Sequence, residues 1–417
     1  MISSEPDQYL LVENIGRLLT MEPAEFDPLG TIENAAVFIA NGEVGWIGTS
    51  NDVPQSRIPE GTVRIDAGGR LVSPGLIEPH AHPIFAGSRA AEFDLRSQGR
   101  SYLEIQQAGG GILSTVRATR AASDEELLAL TVLRLDRLLA NGVTVCEAKS
   151  GYALDVEGEL RLLGILKQAG SKHCIDLSPT LLAHVVPPEI TTANERAEYL
   201  RQLIDCIPRA KAIAESIDVF CDKGAFTLDE TRAILEAGKA NGLLLRCHAE
   251  QLTHTGAADL AASLGARSVE HLEYLADQSI PRLARAGTIC TLLPGAALTL
   301  KLPFPDARRL LDQGCEVAIG TDLNPGSSYT ENLPLMMSLA CMQMGMSCAE
   351  AWRGVTVAAA KAVNRPASGE LFIGARGDLV IWNAEDPKEV IQHYGAALVS
   401  DVIVRGIRRY QTGPKYT

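Results

Sequence analysis

Eight short apolar runs, most followed by a segment of helical periodicity, dominate the middle of the chain. They cover residues 71–77, 143–147, 175–183, 217–221, 243–247, 267–270, 288–293 and 317–320. Most are near-continuous rather than alternating, as parallel strands covered on both faces should be. Helical segments fit between them at 124–140, 157–168, 194–214, 228–240, 254–264, 279–286 and 306–313. Gly142, Gly170, Gly242, Gly265, Gly287 and Gly314 end six of the seven, as C-terminal caps. Eight β/α units predict an α/β protein with a TIM-type (β/α)8 barrel rather than a doubly wound sheet.

The two ends have a different texture. Residues 9–12, 35–40, 45–47 and 63–65 read as short strands punctuated by Asn41-Gly42 and Gly68-Gly69, and 379–382 and 399–404 read alike. Neither end can build a core alone. They are therefore expected to pair into one small sandwich-like β domain, residues 1–72 plus 370–417, with the barrel at 73–369. The segment 83–123 is an insertion between the first strand and its helix. Its Gly109-Gly110-Gly111 lacks the GK[ST] of a phosphate loop. It reads as a loop crossing the barrel mouth, part of it facing a substrate.

Composition narrows the partners. With 46% apolar and 21% charged residues among 417, a disordered or collagen-like chain is excluded. The 38 Lys+Arg against 51 Asp+Glu give a net charge of −13, with no basic block. That argues against nucleic acid and membrane surfaces and for a small-molecule partner. No apolar run reaches the ~18 residues of a membrane span, and the first residues lack the pattern of a secretory signal. The nine cysteines are scattered without a C-x-x-C pair. Reduced thiols in a cytoplasmic protein are the expectation.

Only eight histidines are present, and five fall at the ends of predicted strands. His80-Ala81-His82 follows the first run, and side chains two apart on a strand point the same way. His184, His248 and His271 close the third, fifth and sixth runs, and Asp322 follows the eighth. The C-terminal rim of a barrel is where such residues converge. His173, His254 and His393 lie elsewhere and read as structural or solvent-facing. Three imidazoles and a carboxylate suit Zn²⁺ or Fe²⁺ with a position open for water, whose pKa the metal lowers toward neutrality. Asp322 is placed to orient that water and move its proton. His271 is a fourth ligand, a general base or an electrophile. A metal-free scaffold with core histidines is the competing reading, and the coincidence of strand ends weighs against it.

Together these residues resemble the amidohydrolase superfamily, whose members carry a small β domain built from both chain ends. The stretches Pro74-Gly75-Leu76-Ile77-Glu78-Pro79-His80-Ala81-His82, Phe85-Ala86-Gly87-Ser88-Arg89 and Gly109-Gly110-Gly111-Ile112 with Thr119-Arg120 are similar to its imidazolonepropionase family, of histidine degradation. So are Lys149-Ser150-Gly151-Tyr152, His248-Ala249-Glu250-Gln251 and Thr321-Asp322-Leu323-Asn324-Pro325-Gly326-Ser327.

The resemblance implies a hydrolase that opens the ring amide of 4-imidazolone-5-propanoate to N-formimidoyl-L-glutamate, the third step of that pathway. It implies one divalent transition metal, zinc or iron, on His80, His82, His248 and Asp322. His271 and Asp322 are the implied catalytic groups, either of them the proton donor. Arg89, Tyr152, His184, Gln251, Asn324, Gly326 and Ser327 are the implied substrate contacts, and a homodimer is the implied assembly. An anion approaching a chain of charge −13 needs a local cation, and the planar fork of Arg89 supplies one for a carboxylate. Gln251 stands where metal-dependent deaminases carry Glu. An amide cannot relay a proton, so Gln251 is assigned to binding and deamination is disfavoured. Glu250 beside it is at most a supporting carboxylate. Some superfamily members bridge two metals with a carboxylated lysine after the fourth strand. Lys223 falls near that place but is taken as a surface or loop residue, and Lys149, after the second strand, as out of place for a bridge.

Overall fold

Both chain ends contribute to one eight-stranded sheet. In the computed structural model, which describes residues 8–100 and 110–412, the N-terminal part supplies β1 (Tyr9–Leu19), β2 (Thr31–Ala40), β3 (Glu43–Thr49), β4 (Val63–Asp66) and β5 (Leu71–Pro74). The barrel follows as β6 (Leu76–Ala81), β7 (Val143–Lys149), β8 (Asp176–Ala183), β9 (Ser216–Cys221), β10 (Leu244–Ala249), β11 (Ser268–His271), β12 (Ile289–Leu292) and β13 (Val317–Ile319). The chain then returns to the first sheet with β14 (Leu379–Trp382), β15 (Val399–Val404) and β16 (Ile407–Gln411). That sheet runs β16-β15-β14-β5-β1-β2-β3, with β4 also on β1. The two ends meet where β14 pairs antiparallel with β5.

The apolar run 71–77 is not one strand. It divides at Gly75, the first half pairing in the end sheet and the second opening the barrel. Only glycine passes here, because a Cβ would lie 2.2 Å from Thr144 Oγ1, and the Gly75 amide donates to Asp378 O. The first barrel strand therefore runs on to Ala81 and carries His80 within it. The second extends through Lys149 and the fifth through Ala249. Gly142, Gly242, Gly265, Gly287 and Gly314 take positive φ just past their helices. Gly170 does not cap, since its helix continues to Lys172. The helix expected at 194–214 stops at Ala210.

Eight neighbouring parallel strands run in sequence order from β6 to β13. The seam between first and last is closed just beyond β13. The Asp322 amide donates to His80 O, and the His82 amide donates to Leu323 O. Barrel and end sheet are locked by Trp352 and Trp382, both fully buried, with ring centroids 5.4 Å apart edge to face. Their indole N–H groups donate to Pro387 O and Ser73 Oγ. Among the described residues no helix is long and apolar enough to cross a membrane.

Gly75→Ala is expected to lower the unfolding free energy by about 1–3 kcal/mol, the cost of overpacking a tight junction. Urea unfolding measures it, and an unchanged midpoint would show that the strand junction has room to yield.

Candidate metal centre and active-site cavity

The period-two rule of strands explains how the barrel interior is furnished. Glu78, His80 and His82 alternate along the first strand and its end, Glu147 and Lys149 along the second. Asp218 and Phe220 do so on the fourth, and Arg246 and His248 on the fifth. Glu270 and His271 are adjacent, yet both face inward. His271 has φ of +80°, which breaks the alternation at that point. Asp322, at φ +52°, turns inward in the same way. Such backbone is costly for a residue with a Cβ and clusters at functional sites.

Three groups of potential metal-ligating atoms result, His80–His248–His271, His80–His82–Asp322 and Asp218–His248–Glu270. Within each, the atoms lie within 4.8 Å of one another. His80 Nε2 and His82 Nε2 are 3.3 Å apart, and each is 3.4 Å from Asp322 Oδ1. The other nitrogen of two of these rings is tied from behind. His80 Nδ1 lies 2.7 Å from Glu270 Oε2, and His248 Nδ1 lies 2.8 Å from Asp218 Oδ2. Both imidazoles thus keep Nε2 for the centre, the arrangement expected behind metal-binding histidines. Three imidazoles and a carboxylate at this spacing fit zinc or another divalent transition metal.

Burial sets the protonation pattern. For His82 it dominates and drives the pKa down to about 3. For His184 it does the same, to about 4, with the neighbouring His248 adding to it. His80 is also penalised by burial and by Lys149, but Glu270 and Asp322 outweigh both and lift it to about 9. Asp322 is buried too, and its hydrogen bonds to His80 and His82 hold it well below the carboxylate range. Burial raises Glu78 to about 7. Its carboxylate accepts from the His80 and Thr321 amides, joining the two ends of the seam.

A cavity of about 350 Å³ opens above these rings. His82, His248, His271 and Asp322 line it, with Arg89, Tyr152, His184, Gln251, Asn324, Gly326 and Ser327 around them. His80 lies fully buried beneath. The insertion contributes Arg89, Arg96 and Ile112 to the wall; Gly109 falls outside the described residues. Arg89 is anchored by Glu92, at 2.9 Å from both Nε and Nη2. It also presses on Gly326, where a Cβ would meet Arg89 Nη1 at 2.1 Å. Arg96 donates to Gly326 O. Asn324 holds its own turn, its Oδ1 accepting from the Gly326 and Ser327 amides and its Nδ2 donating to Asp322 O. His184 Nδ1 lies 2.9 Å from Gly151 O, so a neutral ring donates there and leaves Nε2 as an acceptor.

Other residues lie outside this arrangement. Lys223 is exposed. Glu250 turns away to the next helix, accepting from the Thr255, Gly256 and Ala258 amides and contacting His254. His173 contacts Asp136, and His393 is exposed. Lys149, read from sequence as out of place for a metal bridge, is fully buried at the centre of a charged layer with Glu147, Asp218, Arg246 and Glu270. Sequence reasoning missed Asp218, Glu270, Arg96 and Glu273, which lies 3.4 Å from His271 Nδ1. The signal was a lone charge inside an apolar strand, as in Ile217-Asp218-Val219 and Val269-Glu270.

A barrel, an end sheet built from both chain termini and a histidine–carboxylate centre at the strand ends define a metal-dependent amidohydrolase. Comparison with known proteins agrees. The model of an amidohydrolase family matches residues 102–409. An adenosine deaminase from Xanthomonas campestris with bound zinc superposes with a TM-score of 0.72 at 18% identity, over 96% of this chain and 92% of that one. An atrazine chlorohydrolase from Arthrobacter aurescens TC1 complexed with zinc gives 0.70 at 17% identity, over 96% and 95%. These two share the fold. Imidazolonepropionase of Myxococcus xanthus is 43% identical over 406 residues, 95% of this chain and 96% of its own. That of Geobacillus kaustophilus is 44% identical over 413 residues, 95% and 97%. The chain belongs to the imidazolonepropionase family of amidohydrolases.

Nitrogen-detected NMR of labelled histidine should find His184 neutral and protonated on Nδ1 from pH 8 down to about 5. A titration centred above pH 6 would contradict its hydrogen-bonding assignment.

Proposed function

We propose that His80, His82, His248 and Asp322 hold one divalent transition metal, zinc or iron, and that the enzyme hydrolyses the ring amide of 4-imidazolone-5-propanoate. The product is N-formimidoyl-L-glutamate. What supports this reading most is a single cavity with the ligand cluster at its floor and the Arg89 guanidinium in its wall. A metal on those ligands supplies a water of lowered pKa and polarises the carbonyl.

The chain's own groups do the rest. Arg89 receives the propionate, its fork held in orientation by Glu92 and Gly326. Tyr152, almost fully buried beside the rings of His82 and His184, hydrogen-bonds the substrate. His184 offers Nε2 to a ring N–H. Gln251 binds the ring, and Asn324, Gly326 and Ser327 hold the far end. Asp322, kept ionised, accepts the proton of the attacking water. His271 meets the negative charge that develops on the carbonyl oxygen. The C–N bond breaks as Asp322 or His271 delivers a proton to the departing ring nitrogen. The net change is one water added across one amide bond.

Nine cysteines, all free in the fold, support a reducing, cytoplasmic setting. A small anionic substrate, with no nucleic-acid or membrane partner, and a homodimer complete the reading, the dimer resting on the family resemblance alone.

The direct test follows loss of imidazolone absorbance, using freshly generated substrate, together with appearance of formimidoyl-glutamate. Ammonia release without ring opening would instead mark a deaminase. Arg89→Ala should lower kcat/KM by about two to three orders of magnitude, the cost of losing a buried charge partner. An unchanged value would remove Arg89 from the site. His80→Ala should abolish metal retention, measured by elemental analysis of the purified protein.

A further inference from the structure

The charged layer beneath the histidines is not used by the mechanism above, although five ionisable side chains are fully buried there. Lys149 Nζ lies 3.0 Å from Glu147 Oε1, 2.7 Å from Asp218 Oδ2 and 3.0 Å from Glu270 Oε2. Arg246 stands further off, 3.7 Å from Glu147 and 3.6 Å from Glu270. The oxygens that Lys149 grips are the same atoms that hold the imidazoles. Asp218 Oδ2 serves both Lys149 and His248 Nδ1. Glu270 Oε2 serves both Lys149 and His80 Nδ1. Asp218, His248 and Glu270 also have spacing suited to a cation, and the Lys149 ammonium already sits against both carboxylates.

From this shared-oxygen geometry we infer that Lys149 is a positioning residue of the metal centre. Its ammonium occupies the two carboxylates that would otherwise be free to hold a second cation. By fixing Asp218 and Glu270 it aims the Nε2 atoms of His248 and His80 at one point. Three strands meet in this contact, so the aim is set by the rigid barrel and not by a loop. Without the ammonium, two carboxylates would lose a charge-assisted partner and turn toward Arg246, and the rings they hold would lose their fixed tilt.

This inference rests on the proposed one-metal site, and the experiment separates the two. Metal-stripped wild type, Lys149→Met and Lys149→Met/Glu147→Gln are titrated with Co²⁺ while the visible absorption band is recorded, and Zn²⁺ affinity is then measured against a chelator. The double variant restores the charge balance of the layer and guards against simple misfolding, which circular dichroism of the metal-free proteins checks. Wild type should bind one equivalent. Both variants should bind about 10–100-fold more weakly, with an altered Co²⁺ band. Wild type that binds no cation, or two, overturns the one-metal reading itself. A folded double variant that binds one equivalent with unchanged affinity and spectrum overturns the role of Lys149 alone.

Discussion

One carboxylate oxygen, Glu270 Oε2, lies within 3.0 Å of both the Lys149 ammonium and the His80 imidazole inside a barrel closed to water. Most of the site depends on that contact. Burying charges is costly unless each is paired and hydrogen-bonded. A layer of three carboxylates and two cations is therefore a strong constraint, not a source of stability. It fixes which way the carboxylates point, and so which nitrogen His80 and His248 present. The seam of the barrel adds a second constraint on the same residues. His80, His82 and Asp322 close the ring through their own backbone, so the geometry of this cluster and barrel closure are one structure.

Electrostatics runs against the substrate at long range and in its favour locally. The chain carries −13, yet the cavity wall built by the insertion is cationic, with Arg89 and Arg96 around Gly326. Anion recognition here is a matter of placement. The lack of a side chain at Gly326 lets Arg89 pack against the turn that also carries Asn324 and Ser327. The proposed recognition end and Asp322 thus share one short segment, so on the proposed reading the seat of the propionate is coupled to where that carboxylate points.

Much of this was legible from the chain. Eight apolar runs and their glycine punctuation revealed the barrel, and the histidines at run ends marked its rim. The run at 71–77 misled because hydrophobicity is continuous across Gly75, while the backbone changes sheets there to pass Thr144. Gly170 misled because a helix can carry a glycine in its last turn without stopping. The burial of Lys149 was not legible, for a different reason. Its place after the second strand spoke only against a metal bridge, and it is the three-dimensional meeting of the second, fourth and sixth strands that supplies the carboxylates which make its burial tolerable. Glu270 and His271 pointing the same way could not be foreseen either, since strand periodicity places neighbours on opposite faces. Left-handed backbone at His271 is the exception that assembles the site.

A buried charge layer and the barrel seam together build the centre proposed to hold one metal on nitrogen and oxygen atoms. X-ray absorption at the metal edge of the active protein tests it most directly. Nitrogen and oxygen scatterers at about 2.0–2.2 Å, with the outer-shell pattern of several imidazoles, are expected. A sulfur scatterer at about 2.3 Å, or a metal–metal vector of about 3.5–4 Å, would contradict it.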